Sequence, residues 1–139
     1  MHILMLSDNE TRGGAAVGAS NLAIGLTQIG VKVTRLVNRA DGKNHAWQTV
    51  PLKLSHQHRF MLRVMEKFSP KIATIFDTYL TKKRLNKLLV ELKPDIINVH
   101  NLHGANWSPA LIETCLNYAP TVWTLHDMWS FTGRCAYSY

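Results

Sequence analysis

A strand, a helix and a second strand follow one another in the first 37 residues, and this order limits the folds that the chain can adopt. His2–Ser7 is an apolar run, and Asp8–Gly14 is a turn-rich loop. Gly30 ends the helix that follows, and Val31–Val37 is the second strand. Such a β-α-β unit builds parallel sheets. One helical face collects the apolar residues of the intervening segment: Ala15, Ala19, Leu22, Leu26 and Ile29.

The remaining segments extend this pattern. Ile96–Val99 and Thr121–Leu125 have the length and composition of buried parallel strands, and Ala46–Pro51 is a candidate short strand. Residues 56–92 predict two helices separated at Pro70, and Ser108-Pro109 predicts the start of another. The first of these helices carries an apolar stripe formed by Phe60, Met61, Val64, Met65 and Phe68. The second has a buried face formed by Leu85, Leu88, Leu89 and Leu92. The third has a buried face formed by Leu111, Ile112, Cys115 and Leu116. We therefore predict an α/β fold with a doubly wound, mainly parallel sheet of about five strands.

Composition places the chain among ordinary globular proteins. Its 139 residues are 46% hydrophobic, which is sufficient for one domain with a core. The sequence shows no signal peptide and no membrane span. Cys115 and Cys135 fit no zinc spacing and build no disulfide framework. A cytoplasmic location is therefore expected.

The net charge of +7 is concentrated in one segment. Between Lys53 and Lys93 ten Lys and Arg face three acids, so this segment alone carries the +7 and the remainder of the chain is neutral. Solvated faces of ordinary helices explain most such patterns, and the alternative is a surface that rests on anionic lipid at the inner face of the membrane. Nucleic acid is not expected, because no aromatic stacking platform accompanies the charge. The residues that would face lipid are Arg59, Arg63, Lys67, Lys82, Lys83 and Lys87.

A titratable pair follows the strand at Thr121–Leu125. His126 and Asp127 stand directly after it and precede an aromatic loop. In open α/β sheets, ligands gather outside the carboxyl ends of the strands, so this pair is a candidate for chemistry. The alternative is that His126 only caps the strand by bonding to nearby backbone.

The glycine-rich loop after the first strand has no nucleotide-cofactor signature. Gly13, Gly14 and Gly18 do not make G-x-G-x-x-G, and no Walker lysine follows. Asn38 and Arg39 stand where a dehydrogenase would carry an acid after its second strand. A Gly-Gly pair at a helix N-terminus can still expose backbone N–H groups to a phosphate. The alternative is a tight turn that needs unusual backbone angles.

Three histidines follow two of the predicted strands, and they raise the question of zinc. His100 and His103 belong to an irregular loop, and together with His126 they follow no fixed ligand spacing. No D-x-D pair for a divalent ion is present. We expect no metal.

Three motifs in order give the chain a resemblance to a known family. The motifs are RGGAAVGASNLAIGLTQIG, PDIINVHNLHG and TVWTLHDMWSFTGRC. Together they resemble the amino-terminal domain of family-4 glycosyltransferases, and especially those of polysaccharide assembly. The resemblance implies a retaining enzyme of the GT-B type, in which two Rossmann-like domains enclose a cleft. The implied substrates are a nucleotide-sugar donor and a saccharide or lipid-linked acceptor, with no metal or other cofactor.

The resemblance also implies roles for individual residues. Gly13 and Gly14 would lie against the diphosphate of the donor, and His126 would contact the transferring sugar as the catalytic residue. The acceptor side of the cleft would hold Asn101, His103 and Asp127, with Asp127 orienting its neighbour.

The donor-binding carboxy-terminal domain that the resemblance implies is not among these residues. Its E-x7-E motif is absent from the sequence. We therefore expect residues 1–139 to be the acceptor-side domain of a longer enzyme, to be inactive alone, and to leave Thr121–Leu125 at an open sheet edge. The alternative is a non-enzymatic domain of the same fold that binds a ligand or a partner.

Overall fold

The computed structural model describes residues 1–132, and Cys135 together with the end of the third motif lies outside them. Strands and helices alternate through most of this range, as the sequence predicts. Their bounds are β1 His2–Asn9, α1 Gly14–Gln28, β2 Lys32–Arg39, β3 Gln48–Pro51, α2 His56–Phe68, α3 Pro70–Leu92, β4 Ile96–Val99, α4 Ala110–Leu116, β5 Thr121–Trp123 and α5 Trp129–Thr132, with a 3₁₀ turn at His103–Ala105. None of the described helices is long and apolar enough to cross a membrane.

The five strands form one sheet in the order β3-β2-β1-β4-β5, and every pair is parallel. The predicted α/β, Rossmann-like doubly wound fold is confirmed. The chain runs from β1 outward to β2 and β3 on one side, and then returns to add β4 and β5 on the other. Such a reversal opens a crevice between β1 and β4, outside their carboxyl ends.

Helix α1 covers one face of the sheet through small side chains. Ala16, Ala19, Ser20 and Ala23 are buried, and Ala19 and Ala23 pack with residues of β1 and β2. The predicted face was wrong for Leu22 and Ile29, which are exposed. Small residues let a helix approach a sheet closely, so the buried stripe follows the alanines rather than the largest apolar side chains.

Helices α3 and α4 cover the opposite face. Leu85, Leu88 and Leu89 are buried with Leu111 and Cys115 in the main core, which confirms most of both predicted faces. The prediction was wrong for Leu116, which is exposed at the end of α4. Burial raises the pKa of the Cys115 thiol to about 12, so this cysteine is an unreactive core residue.

Strand β5 is shorter and more exposed than predicted. It ends at Trp123, and Val122 and Leu125 are each more than half exposed. The cause is its place at the edge of the sheet, where it pairs with β4 alone among the described strands. The expected edge position is therefore confirmed, whereas the expected burial is wrong.

Candidate functional site

A cleft of about 490 Å³ lies where the carboxyl ends of β1, β4 and β5 meet the start of α1. All six residues that the sequence nominated for donor, acceptor or catalysis line it. Five further residues line it without having been nominated: Asp8 and Asn9 at the end of β1, Arg12 in the loop that follows, and Ala15 and Ala16 in α1. The lining is Asp8, Asn9, Arg12, Gly13, Gly14, Ala15, Ala16, Asn101, His103, His126 and Asp127.

The amino terminus of α1 forms one wall of the cleft. Gly13 has a φ of 99°, which confirms that this position needs glycine for its backbone angles. Gly14 has no such requirement, and a Cβ added there would meet no atom within 4 Å. The carbonyl of Gly13 accepts the N–H of Val17. This is the first hydrogen bond of the helix, so the backbone N–H groups before Val17 have no partner within the helix. They lie at the end of α1 that borders the cleft.

His126 also lines the cleft, where its ring lies against Gly18 of α1, and its hydrogen-bond partner is another histidine. Its Nε2 lies 2.9 Å from Nδ1 of His100, and the two rings are stacked with their centres 5.2 Å apart. In residues 1–132 the side chain therefore bonds to an imidazole rather than to the backbone at the strand end. The carbonyl of His100 also accepts Nε1–H of Trp123, which fixes β4 to β5 at this point.

His100 is neutral near pH 7. Burial, and then the neighbouring His126 and Arg35, lower the pKa of its imidazole to about 4. Its other nitrogen, Nε2, is buried without a partner among the described residues. This network favours the tautomer in which His100 donates from Nδ1, because a buried N–H would otherwise be unsatisfied at Nε2. His126 then accepts at Nε2 and keeps its own proton on Nδ1.

Asp127 organises the part of the cleft that contains Asn101 and His103. One carboxylate oxygen accepts the backbone N–H of Trp129 at 3.0 Å, which holds the following turn. The other oxygen lies 3.4 Å from Nδ2 of Asn101 and 3.6 Å from Nε2 of His103. The ring of His103 also contacts Trp129, with centres 5.5 Å apart. Asp127 therefore positions Asn101 and His103, rather than its sequence neighbour His126.

Asp8 is tied to the same loop by a close approach that the sequence did not indicate. Its backbone N–H donates to the carbonyl of Asn101 at 2.9 Å. A Cβ added to Gly104 would lie 2.0 Å from an oxygen of the Asp8 carboxylate. Gly104 is therefore needed because Asp8 occupies the space of a side chain.

Of the three histidines after the strands, His100 uses its Nδ1 in the bond to His126. Among the described residues, the group with ligand spacing is Glu10, Asp41 and His45. Its oxygens already accept hydrogen bonds from Trp47, Thr49, Thr11 and the backbone. We therefore interpret it as a hydrogen-bonded ion-pair cluster, in which the N–H of Lys43 and then His45 hold the pKa of Asp41 below its usual range.

A comparison with known proteins gives one result. The model of the family described as Glycosyltransferase Family 4 matches residues 12–138, which is nearly the whole chain and includes every cleft-lining residue except Asp8 and Asn9. The chain belongs to glycosyltransferase family 4. No curated protein and no solved structure gives a match beside it.

The basic residues that the sequence nominated for a lipid surface do not line the cleft. Arg59, Arg63 and Lys67 are exposed on α2, and Lys83 and Lys87 are exposed on α3. Lys82 differs, because its Nζ donates to Glu113 of α4 at 2.8 Å. Lys87 also has an acidic neighbour, since its Nζ lies 3.7 Å from Glu91 one turn further along α3, but its side chain is exposed whereas that of Lys82 is half-buried.

The His100 environment predicts a pH dependence for the family-4 domain. In the unfolded chain His100 titrates near 6.5, and in the folded chain near 4. Between these values the unfolded state binds more protons, so the free energy of unfolding should fall by up to about 3 kcal/mol as pH drops from 6.5 toward 4. Urea denaturation across this range measures it.

The matched control is His100→Asn, which keeps a donor at a similar position but does not titrate. Burial and Lys32 also lower the pKa of His2, so part of the pH dependence should remain in the variant. The free energy of unfolding is plotted against pH for both proteins, and the difference between the two slopes gives the contribution of His100. Identical slopes would contradict the assignment of a neutral, buried imidazole.

Proposed function

We propose that this domain forms the acceptor-side wall of a sugar-transfer site, and that the sugar passes from a nucleotide-sugar donor to a saccharide or lipid-linked acceptor with retention at its anomeric carbon. The observation that carries the proposal is one cleft that joins a helix N-terminus, a hydrogen-bonded histidine and an Asp-Asn-His cluster. Membership of family 4 supports a glycosyltransferase of this kind.

The start of α1 suits the diphosphate of the donor. Free backbone N–H groups and the helix dipole favour negative charge there. Arg12 lines the same wall, and no acidic residue lies in the first turn of α1. Gly14 presents no side chain, so a phosphate can approach the backbone closely. These groups supply the positive potential that the departing diphosphate requires, and the proposal assigns no metal to this wall.

His126 suits the transferring sugar. As the bond from the anomeric carbon to the diphosphate breaks, positive charge grows on the sugar ring and negative charge grows on the leaving group. The acceptor hydroxyl forms the new bond on the same face and passes its proton to the diphosphate. A hydrogen-bond donor such as His126, held rigidly beside the sugar, accelerates the reaction only if its hydrogen bond is stronger in the transition state than in the ground state. The bond to His100 provides that rigidity.

Asn101 and His103 suit the acceptor. Asp127 holds both of them, so an amide and an imidazole face the cleft in fixed positions. Such groups hydrogen-bond hydroxyls, which matches a saccharide or the sugar portion of a lipid-linked acceptor.

The test is transfer of labelled sugar by an enzyme that contains this domain together with a donor-binding domain. We expect transfer from a nucleotide sugar, and no transfer by residues 1–139 alone, because one wall of a cleft cannot fix both substrates in one geometry. Sugar transfer by the 139-residue chain would contradict the proposal that donor binding needs a separate domain. Absence of transfer by the longer enzyme across a panel of donors would favour a binding domain instead.

Gly14→Val in the longer enzyme should raise the KM for the donor about tenfold, which is the effect of losing one or two hydrogen bonds to a charged group. A Cβ at this position meets no atom within 4 Å, so the melting temperature should change little. The matched control is Gly25→Val, in the same helix and equally unobstructed, but remote from the cleft. Equal effects of the two substitutions on KM would contradict a phosphate site at Gly14.

A further inference from the structure

The helices α2 and α3, which pack on each other, expose several large apolar side chains. Phe60 is 69% exposed, Phe68 is 85% exposed and Ile75 is 71% exposed. A soluble domain rarely leaves such residues together at its surface, and an apolar patch of this kind usually marks an interaction site. We name this set the apolar ridge: Phe60, Val64, Phe68, Ile72, Ile75 and Tyr79.

The ridge is exposed because these two helices extend beyond the sheet. Helix α2 has no buried residue, and its partly buried side is formed by Met61, Leu62 and Met65. Helix α3 enters the main core only through its second half, at Leu85, Leu88 and Leu89. In its first half Ala73 is the buried residue. The two helices therefore pack on each other, and their outward sides remain without a partner in the described part of the chain.

Basic residues run directly beside the ridge. Arg59, Arg63 and Lys67 each precede a ridge residue of α2 by one position and repeat every four residues. They therefore form a basic row next to the apolar row on the exposed side of α2. Lys71 precedes Ile72 in the same way. On α3, Lys83 and Lys87 continue the face of Tyr79 at four-residue spacing.

This combination of charge and exposed apolar surface selects the partner. Residues 53–93 hold ten basic and three acidic residues, so two copies of the ridge placed face to face would repel each other. An amphipathic surface with Phe and Tyr outermost and Lys and Arg alongside matches a bilayer with anionic headgroups. The apolar side chains enter the boundary between headgroups and acyl chains, and the cations meet the phosphates.

We propose that the apolar ridge and its basic row dock this chain on anionic membranes. The ridge supplies apolar burial, and Arg59, Arg63, Lys67, Lys83 and Lys87 supply the attraction to anionic lipid. Lys82 takes no part, since it is paired with Glu113 on α4. The docking requires no sugar transfer, so its test is independent of the activity proposed above.

The experiment is co-sedimentation of the 139-residue chain with vesicles of phosphatidylglycerol mixed with phosphatidylcholine, and with vesicles of phosphatidylcholine alone. We expect binding to the anionic vesicles that weakens as salt is added, because charges are screened beyond about 8–10 Å near physiological ionic strength. The double variant Phe60→Ser, Phe68→Ser should lower the partition coefficient about tenfold or more. The triple variant Arg59→Gln, Arg63→Gln, Lys67→Gln should remove most of the salt dependence.

Two matched controls use exposed residues outside the ridge. Ile29→Ser removes an apolar side chain that is 75% exposed at the end of α1, and Lys82→Gln removes the paired lysine. Both should leave vesicle binding unchanged. Circular dichroism of each variant verifies that it is folded, which is expected because the ridge residues are exposed.

Three outcomes would overturn the proposal. The first is absence of binding to anionic vesicles at low salt, and the second is equal binding to neutral vesicles. The third is a dimer in light scattering that the Phe60→Ser, Phe68→Ser variant converts to a monomer, which would assign the ridge to a second copy of the chain.

Discussion

His126→Ala should lower the turnover number of an enzyme containing this domain by about 100-fold or more, which is the scale of one lost transition-state hydrogen-bond donor. Its imidazole lines the cleft, and the bond to His100 fixes its orientation. The free energy of unfolding should fall by no more than about 1–2 kcal/mol, the value of one hydrogen bond. Turnover and urea denaturation are measured on the same preparation.

The control for this prediction is His56→Ala, which removes an exposed histidine from α2, away from the cleft. It should leave both turnover and stability close to those of the parent enzyme. The competing hypothesis, that His126 only secures the end of β5, gives the opposite result. It predicts a destabilised His126→Ala variant whose activity per folded molecule is unchanged, and that outcome would end the catalytic assignment.

The position of the cleft could be predicted because it depends on local patterns. Each strand was recognisable as a short apolar run, and parallel strands place their carboxyl ends at one edge of the sheet. The resemblance to family-4 enzymes placed Gly13, Asn101 and His126, which all follow such runs, in one cleft, and all three line it. The same rule, applied to the first predicted strand, also indicates Asp8. The sequence analysis examined the loop after that strand only for nucleotide-cofactor motifs and did not consider this residue.

The contacts within the cleft could not be predicted, since each joins residues that are distant in the sequence. His100 and His126 are 26 positions apart, and their bond depends on the register of β4 with β5. The approach of Gly104 to Asp8 depends equally on the pairing of β1 with β4. Periodicity indicates which side of a helix is apolar but not what covers that side. For this reason the sequence identified an apolar stripe on α2 but did not show that Phe60, Val64 and Phe68 in it are exposed.

A buried charged network was also absent from the sequence-based prediction, because isolated Arg and Glu residues usually lie at the surface. Arg35 is fully buried on β2, donates from Nη1 to the hydroxyl of Ser20 at 2.6 Å, and lies over the ring of Trp47. Burial lowers the pKa of its guanidinium to about 10, and the negative charge of Glu10 opposes that shift. Glu10 is itself 1% exposed and accepts Nε1–H of Trp47 and the hydroxyl of Thr49.

This network holds the loop that carries the proposed phosphate site. The second carboxylate oxygen of Glu10 accepts the backbone N–H of Asp41 at 2.9 Å, and the carbonyl of Glu10 accepts the hydroxyl of Ser20 on α1. Arg12 and Gly13 follow within three residues. A rearrangement at Glu10 would therefore move the wall of the cleft, although Glu10 does not line it.

Glu10→Ala should lower the free energy of unfolding by about 3–5 kcal/mol, because it leaves the buried charge of Arg35 without its compensating carboxylate and removes the acceptor for Trp47. Glu10→Gln keeps a hydrogen-bond acceptor but removes the charge, so the free energy of unfolding should fall by less than in Glu10→Ala. The decrease in Glu10→Gln then measures the contribution of the carboxylate charge. Asp41→Asn is the control at the half-buried outer end of the network. Urea denaturation near pH 7 measures all three. A loss below about 1 kcal/mol for Glu10→Ala would show that Arg35 is satisfied without Glu10, and the loop would then need another anchor.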